Sequence, residues 1–184
     1  MIKKIFSFII FILFINQANA EENTMILKLK DGDVEIQLFD EIAPNHVKRF
    51  LELVKEKKYD GVVFHRVIDG FMAQTGDVEF GNSTLESYDI KRAGTGGSEY
   101  PDLKAEFSNL PHERGVLSMA RSASPDSANS QFFICFKQSA FLDRQYTVFG
   151  KVVKGMEFVD LIKRGDGSNG EVTDPDKIIS LTIK

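Results

Sequence analysis

The sequence predicts a mainly β domain, a sandwich or a closed barrel with helices over its openings. Three observations predict it. About eight segments read as strands, in runs of β-branched and aromatic residues or in strict alternation of apolar with polar. Turn residues recur between them at short intervals. Only two segments carry helical spacing, one after the first strand pair and one near the C-terminal end. Periodicity alone does not choose between sandwich and barrel.

The first elements form a hairpin. Met25, Leu27 and Leu29 alternate with lysines, Asp31-Gly32 follows, and Val34, Ile36 and Leu38 alternate with Glu35 and Gln37. Alternation on both sides of an Asp-Gly pair is a strong hairpin signal. Pro44 then opens a helix, where its missing N–H costs nothing. Val47, Phe50, Leu51 and Val54 make its apolar stripe, lysines crowd its end, and Gly61 stops it.

Val62 to Ile68 reads as a strand, Asp69-Gly70 as a turn, and Phe71 to Thr75 as the next strand. From Gly76 to Pro111 the chain is rich in Gly, Ser and acids, and reads as loops with one short strand near Ala105 to Phe107. Gly115 to Ala120, Gln131 to Phe136 and Thr147 to Val153 are further strands. Phe158, Leu161 and Ile162 mark the second helix, ended by Lys163, Arg164 and Gly165, and Ile179, Leu181 and Ile183 alternate in a last strand.

The bulk properties bound the function. The chain has 184 residues, enough for one domain with a substantial core, and a formal net charge of -4. An acidic balance argues against nucleic acid as a partner. Lys3 and Lys4, an apolar run from Ile5 to Ile15 and the Ala18-Asn19-Ala20 ending form the three-part pattern of a secretory signal peptide over residues 1–20. The run is too short for a membrane span. Residues 21–184 are therefore expected as one soluble domain, exported to the periplasm and without stable membrane insertion after cleavage. A monomer is expected. The single cysteine, Cys135, lies in an apolar run and reads as a buried, inert thiol.

Common catalytic patterns are absent. His46, His65 and His112 lack metal-ligand spacing, so no metal is expected. Gly94-Thr95-Gly96-Gly97 resembles a phosphate cradle only loosely and reads as a turn. The informative segment runs from Tyr59 to Asp77. Alternation places Phe64, Arg66 and Ile68 on one face, with His65 and Val67 on the other. An arginine among such neighbours is either a snorkelling surface group or a functional one. Gln74 follows on the next strand, and Gln131 and Phe133 again place an amide and an aromatic on one strand face.

With its Phe64-His65-Arg66, Gly70-Phe71-Met72 and Gln74 elements, this segment resembles the signature of the cyclophilins. Ser118-Met119-Ala120 and Ser130 to Ile134 resemble a second block of that family. Phe141-Leu142-Asp143 and Val148 to Val152 resemble a third. The similarity covers nearly all of Thr24 to Lys184. It implies a closed eight-stranded antiparallel β-barrel capped by two α-helices, with a packed interior and an active groove on its outer surface.

It also implies a peptidyl-prolyl cis/trans isomerase acting on proline-containing unfolded or flexible polypeptides without a cofactor. By resemblance, Arg66 is the catalytic arginine and Gln74 orients it. Phe71, Met72, Phe133 and Leu142 form the proline pocket, and Ala120, Arg121, Gln131, Phe141 and Tyr146 complete the substrate groove. Phe141 stands where the best-known eukaryotic members have tryptophan, Tyr146 where they have histidine, and Arg121 where they have asparagine. The lost indole N–H implies weak cyclosporin binding. His65 faces away from Arg66 by alternation and reads as structural. Two other readings stay open: a non-catalytic proline-peptide-binding chaperone on the same barrel, and a β-barrel carrier of small ligands.

Overall fold

A computed structural model describes residues 23–166 and 169–184. The expected signal peptide lies outside the described residues. The core of the architecture is one antiparallel sheet of eight strands. They are β1 (Thr24–Lys28), β2 (Asp33–Leu38), β3 (Arg66–Ile68), β4 (Met72–Thr75), β5 (Val116–Met119), β6 (Phe132–Cys135), β7 (Val148–Lys154) and β8 (Ser180–Ile183), in the spatial order β3-β4-β6-β5-β7-β2-β1-β8.

The sheet curls but stays open, which corrects the expectation of a closed barrel. Its edge strands β3 and β8 form no ladder with each other. The chain leading into β8 runs beside residues 62–67 and is joined to them by scattered backbone hydrogen bonds, but the pairing is broken into the isolated bridges Val63↔Lys177 and Arg66↔Glu171. Pro175 lies between those bridges and has no N–H to give a ladder. On β8 itself the Leu181 N–H donates to the Asp60 carboxylate at 3.1 Å instead of to a strand. The curled sheet is a half-barrel.

The helices also differ from expectation. α1 (Pro44–Lys55) starts at the proline, but its N-cap residue, Ala43, has no side chain to cap it. Glu106 from a distant loop supplies the missing acceptor: its carboxylate takes the Asn45 and His46 backbone N–H groups and the Asn45 amide. The helix ends at Lys55, well before Gly61, where Lys57 adopts φ 56°. α2 (Met156–Val159) is a single turn. Beyond it Leu161 and Ile162 donate to Phe158 and Val159, three residues back, so the turn tightens and Leu161 is left exposed. No strand forms at Ala105–Phe107. There the Ala105 and Glu106 N–H groups donate to the side chains of Asp126 and Thr147.

The concave face of the sheet holds the main core. Phe50 of α1 meets Tyr59, Phe132 and Phe149 at ring centroid distances of 5.2, 5.3 and 5.2 Å. Val67, Ala73, Leu117, Met119 and Ile134 join this cluster. Because side chains alternate, their sequence neighbours must emerge on the opposite face.

Candidate active site

That opposite face carries a second, smaller apolar cluster and a row of polar side chains. Across the sheet, Arg66 on β3 stands opposite Gln74 on β4, Gln74 opposite Phe133 on β6, and Phe133 opposite Ser118 on β5. One step along, Ile68 stands opposite Met72 and Met72 opposite Cys135. Neighbouring strands are about 4.8 Å apart, so Arg66 lies about 10 Å from the Phe133 backbone with Gln74 between them.

The alternation expected for Arg66 and Ile68 holds, but Phe64 does not share their face. The ladder begins only at Arg66, and Phe64 sits fully buried in the main core. Its N–H donates to the Asp176 carbonyl.

The polar row is joined by hydrogen bonds. Arg66 Nη1 donates to Gln74 Oε1 at 3.3 Å, Gln74 Nε2 donates to Gln131 Oε1 at 3.0 Å, and Gln131 Nε2 donates to the Gly96 carbonyl at 2.8 Å. At its other end Arg66 Nε donates to the Asn169 carbonyl at 2.9 Å. The guanidinium is half-buried, and burial lowers its pKa from the ordinary value.

Beside this row lies the second apolar cluster, the one proposed below as the proline-ring hollow. Met72, Phe133, Cys135 and Leu142 form its buried part, and Ile68, Phe71, Ala120 and Tyr146 pack around them. Phe133 meets Tyr146 edge-on at 6.0 Å and 78°, and Phe71 meets Phe141 at 5.3 Å and 46°. Phe141 is 65% exposed, an open aromatic lip. Tyr146 is covered by the Arg121 guanidinium, 4.5 Å above its ring. Arg121 is held there by the Gln145, Ser122 and Ala123 carbonyls.

Behind Phe133, the fully buried His112 ring lies nearly parallel to it at 6.3 Å and 16°. His112 Nδ1 meets Asp143 Oδ1 at 2.9 Å, and Nε2 meets Ser118 Oγ at 3.0 Å. The His112 backbone and ring hydrogen bonds hold the Asp143 carboxyl below its ordinary range. Next to the relay, a cleft of about 450 Å³ is lined by Gln74, Gly96, Ala120, Arg121, Asn129 and Gln131 among others.

The eleven residues named from the sequence lie in this apolar cluster (Phe71, Met72, Ala120, Phe133, Leu142, Tyr146), in the polar row (Arg66, Gln74, Gln131), or against the cluster (Phe141 on Phe71, Arg121 on Tyr146). Sequence reading missed Ile68, Cys135, Ser118, His112, Asn169 and Gly96. Alternation could have found the first three, since each lies two residues from, or directly opposite, a residue already chosen. His112, Asn169 and Gly96 come from loops, which have no period to read.

The chain is also similar, in sequence and in fold, to known proteins. A family model described as "Cyclophilin type peptidyl-prolyl cis-trans isomerase/CLD" matches residues 24–183. A protein of Brucella suis named "Probable peptidyl-prolyl cis-trans isomerase" is 60% identical over 164 residues, covering 89% of this chain and 83% of its own. "Peptidyl-prolyl cis-trans isomerase A" of Dickeya dadantii is 42% identical over 151 residues, 79% of this chain and 73% of its own. Among solved structures, a cyclophilin from Hirschia baltica superposes with a TM-score of 0.75 at 27% identity, covering 89% of this chain and 74% of that one. A cyclophilin-type isomerase from Cryptosporidium parvum, solved in the presence of the dipeptide Ala-Pro, gives 0.74 at 27% identity over 88% of this chain and 98% of that one.

Proposed function

The chain belongs to the cyclophilin-type peptidyl-prolyl cis-trans isomerases, and from that premise we propose that Arg66 stabilises the twisted imide while the hollow of Phe71, Met72, Phe133 and Leu142 grips the proline ring. The substrates are proline-containing unfolded or flexible polypeptides. The Ala-Pro dipeptide present with the Cryptosporidium relative supports that class.

The chemistry asks for little beyond binding. Resonance across the C–N bond sets a rotation barrier of about 18–20 kcal/mol. At the transition state resonance is lost and the imide nitrogen gains a lone pair. No covalent bond forms or breaks, so the reaction needs no redox or covalent partner. The site has to bind the twisted form better than either planar one.

Here the hollow excludes water from the ring. The guanidinium beside it offers fixed donors to the imide nitrogen or the adjacent carbonyl as charge shifts there. Arginine suits the task because it stays protonated and holds its donors in a planar fork. One charge-assisted hydrogen bond supplies about 1.5–3 kcal/mol, and desolvation and shape supply the rest.

The observation that supports this reading is the cross-strand row Arg66–Gln74–Phe133, with the guanidinium and the Phe133 side chain on one face of the sheet. The test is turnover of a proline peptide in a protease-coupled assay. Arg66→Ala and Arg66→Lys should lose most activity while remaining folded. An Arg66→Ala protein as active as the unaltered one would overturn the mechanism.

Residues 1–20 support export, and the mature chain is proposed to work in the periplasm as a monomer. N-terminal sequencing of the exported protein should begin at Glu21, and a start at Met1 would refute it.

A further inference from the structure

The fully buried carboxylate of Asp77 lies just beyond β4. A buried carboxylate without donors is strongly unfavourable, so its oxygens must be filled. Four backbone N–H groups fill them. Glu79 and Phe80 donate to Oδ1 at 3.1 and 2.9 Å, a local turn of the kind aspartate favours. Gly94 and Gly96 donate to Oδ2 at 2.7 and 2.9 Å, from a distant part of the chain. The glycine-rich run that resembles a phosphate cradle thus receives a carboxylate of the same chain.

Both glycines are required for this approach. A Cβ at Gly96 would lie 2.6 Å from Asp77 Oδ1, and Gly94 adopts φ +99°, which side chains disfavour.

Gly96 is gripped from both sides. Its N–H is held by Asp77, and its carbonyl accepts Gln131 Nε2. That carbonyl sets the polarity of the whole relay. With Gly96 accepting, Gln131 must turn its NH₂ to Gly96 and its Oε1 to Gln74. Gln74 must then turn its NH₂ to Gln131 and its Oε1 to Arg66, which can only donate. A flip of either amide would set donor against donor or oxygen against oxygen.

We propose that Asp77 is a positioning residue for isomerisation: by fixing Gly96 it orients Gln131 and, through Gln74, holds the Arg66 guanidinium at the imide. The inference rests on the role of Arg66 proposed above.

The test is a double-mutant cycle read as kcat and KM on a proline peptide. Asp77→Asn deprives two of the four N–H groups of their acceptor. It should lower kcat about tenfold, as misplacement of a catalytic group does, while KM changes less than about twofold because the hollow is untouched. In a Gln131→Ala background, where the relay is already cut, Asp77→Asn should lower kcat less than about twofold.

An unchanged kcat, or an equal loss in both backgrounds, overturns the inference. If Asp77→Asn shows no cooperative melt, Gly96→Ala displaces the same contact and is read by the same split, with unchanged kcat again refuting it. Arg66→Ala runs alongside. If that variant is fully active, the Arg66 mechanism itself fails. If it is inactive while Asp77→Asn keeps full kcat, only the positioning role fails.

Discussion

Arg66 and Gln74 face each other across the β3–β4 pair, and the side-chain bond between them, Nη1 to Oε1 at 3.3 Å, runs parallel to the backbone pairing. The arginine is thus aimed by the sheet itself. Its second anchor, the Asn169 carbonyl at 2.9 Å, comes from a loop. Gln74→Ala removes the first anchor and leaves the second. With about 1.5–3 kcal/mol in a charge-assisted bond, kcat should fall by roughly ten- to a hundredfold, with the thermal midpoint little changed. Steady-state turnover beside a melting curve checks this. A wild-type kcat would show that the loop anchor suffices.

That prediction also shows what the sequence could convey. Arg66 and Gln74 sit on strands, where the two-residue period fixes the face, and the Asp69-Gly70 turn fixes which pairs oppose. The apolar cluster beside them is legible for the same reason, through Phe133 and Met72. Closure of the sheet was not legible. It depends on whether residues 170–178 pair continuously with residues 62–67, and strand propensity does not report a proline between isolated bridges. Phe158, Leu161 and Ile162 have helical spacing, which overstates the second helix. The chain instead tightens into three-residue hydrogen bonds after Val159. The Asp77 contacts left no periodic trace, since one short side chain gathers N–H groups from two separated turns.

Phe133→Ala should separate binding from catalysis. Phe133 is 5% exposed, wedged between His112 and Tyr146. Truncation empties the floor of the hollow and should cost about 3 kcal/mol of stability, the low end for buried Phe→Ala because one side is already open to the groove. Peptide affinity should fall at least about tenfold, since the proline ring loses its largest apolar partner. An NMR titration with a proline peptide measures it. Unchanged affinity would remove Phe133 from the pocket.

His65 should make stability depend on acidity. The ring is 6% exposed, and burial holds its pKa down to about 4 against the pull of Asp77. The unfolded chain titrates this histidine near 6.5. Above pH 6.5 neither state takes up the proton, and this histidine leaves stability independent of pH. Between pH 6.5 and about 4 the unfolded chain is protonated and the native one is not, so stability falls as pH falls, by roughly 3 kcal/mol over the window. His46, whose pKa burial also lowers, acts in the same direction. Urea midpoints at pH 7 and pH 4.5 should differ accordingly, and His65→Gln should flatten the slope. An equal slope in that variant would show that His65 does not carry it.

Cys135 offers a probe of the hollow from inside. Its side chain is fully buried opposite Met72, and burial pushes the thiol up to about 12. The reactive species is the thiolate, so alkylation of the native protein at pH 8 must wait for local or global opening and should run about a thousandfold slower than in strong denaturant. A proline peptide that fills the hollow binds only the closed form and should slow the labelling further, in proportion to its saturation. Mass spectrometry of timed alkylation reads both effects. Fast labelling of the native chain would contradict the burial. Protection by the peptide in Phe133→Ala equal to that in the unaltered protein would place the bound proline elsewhere.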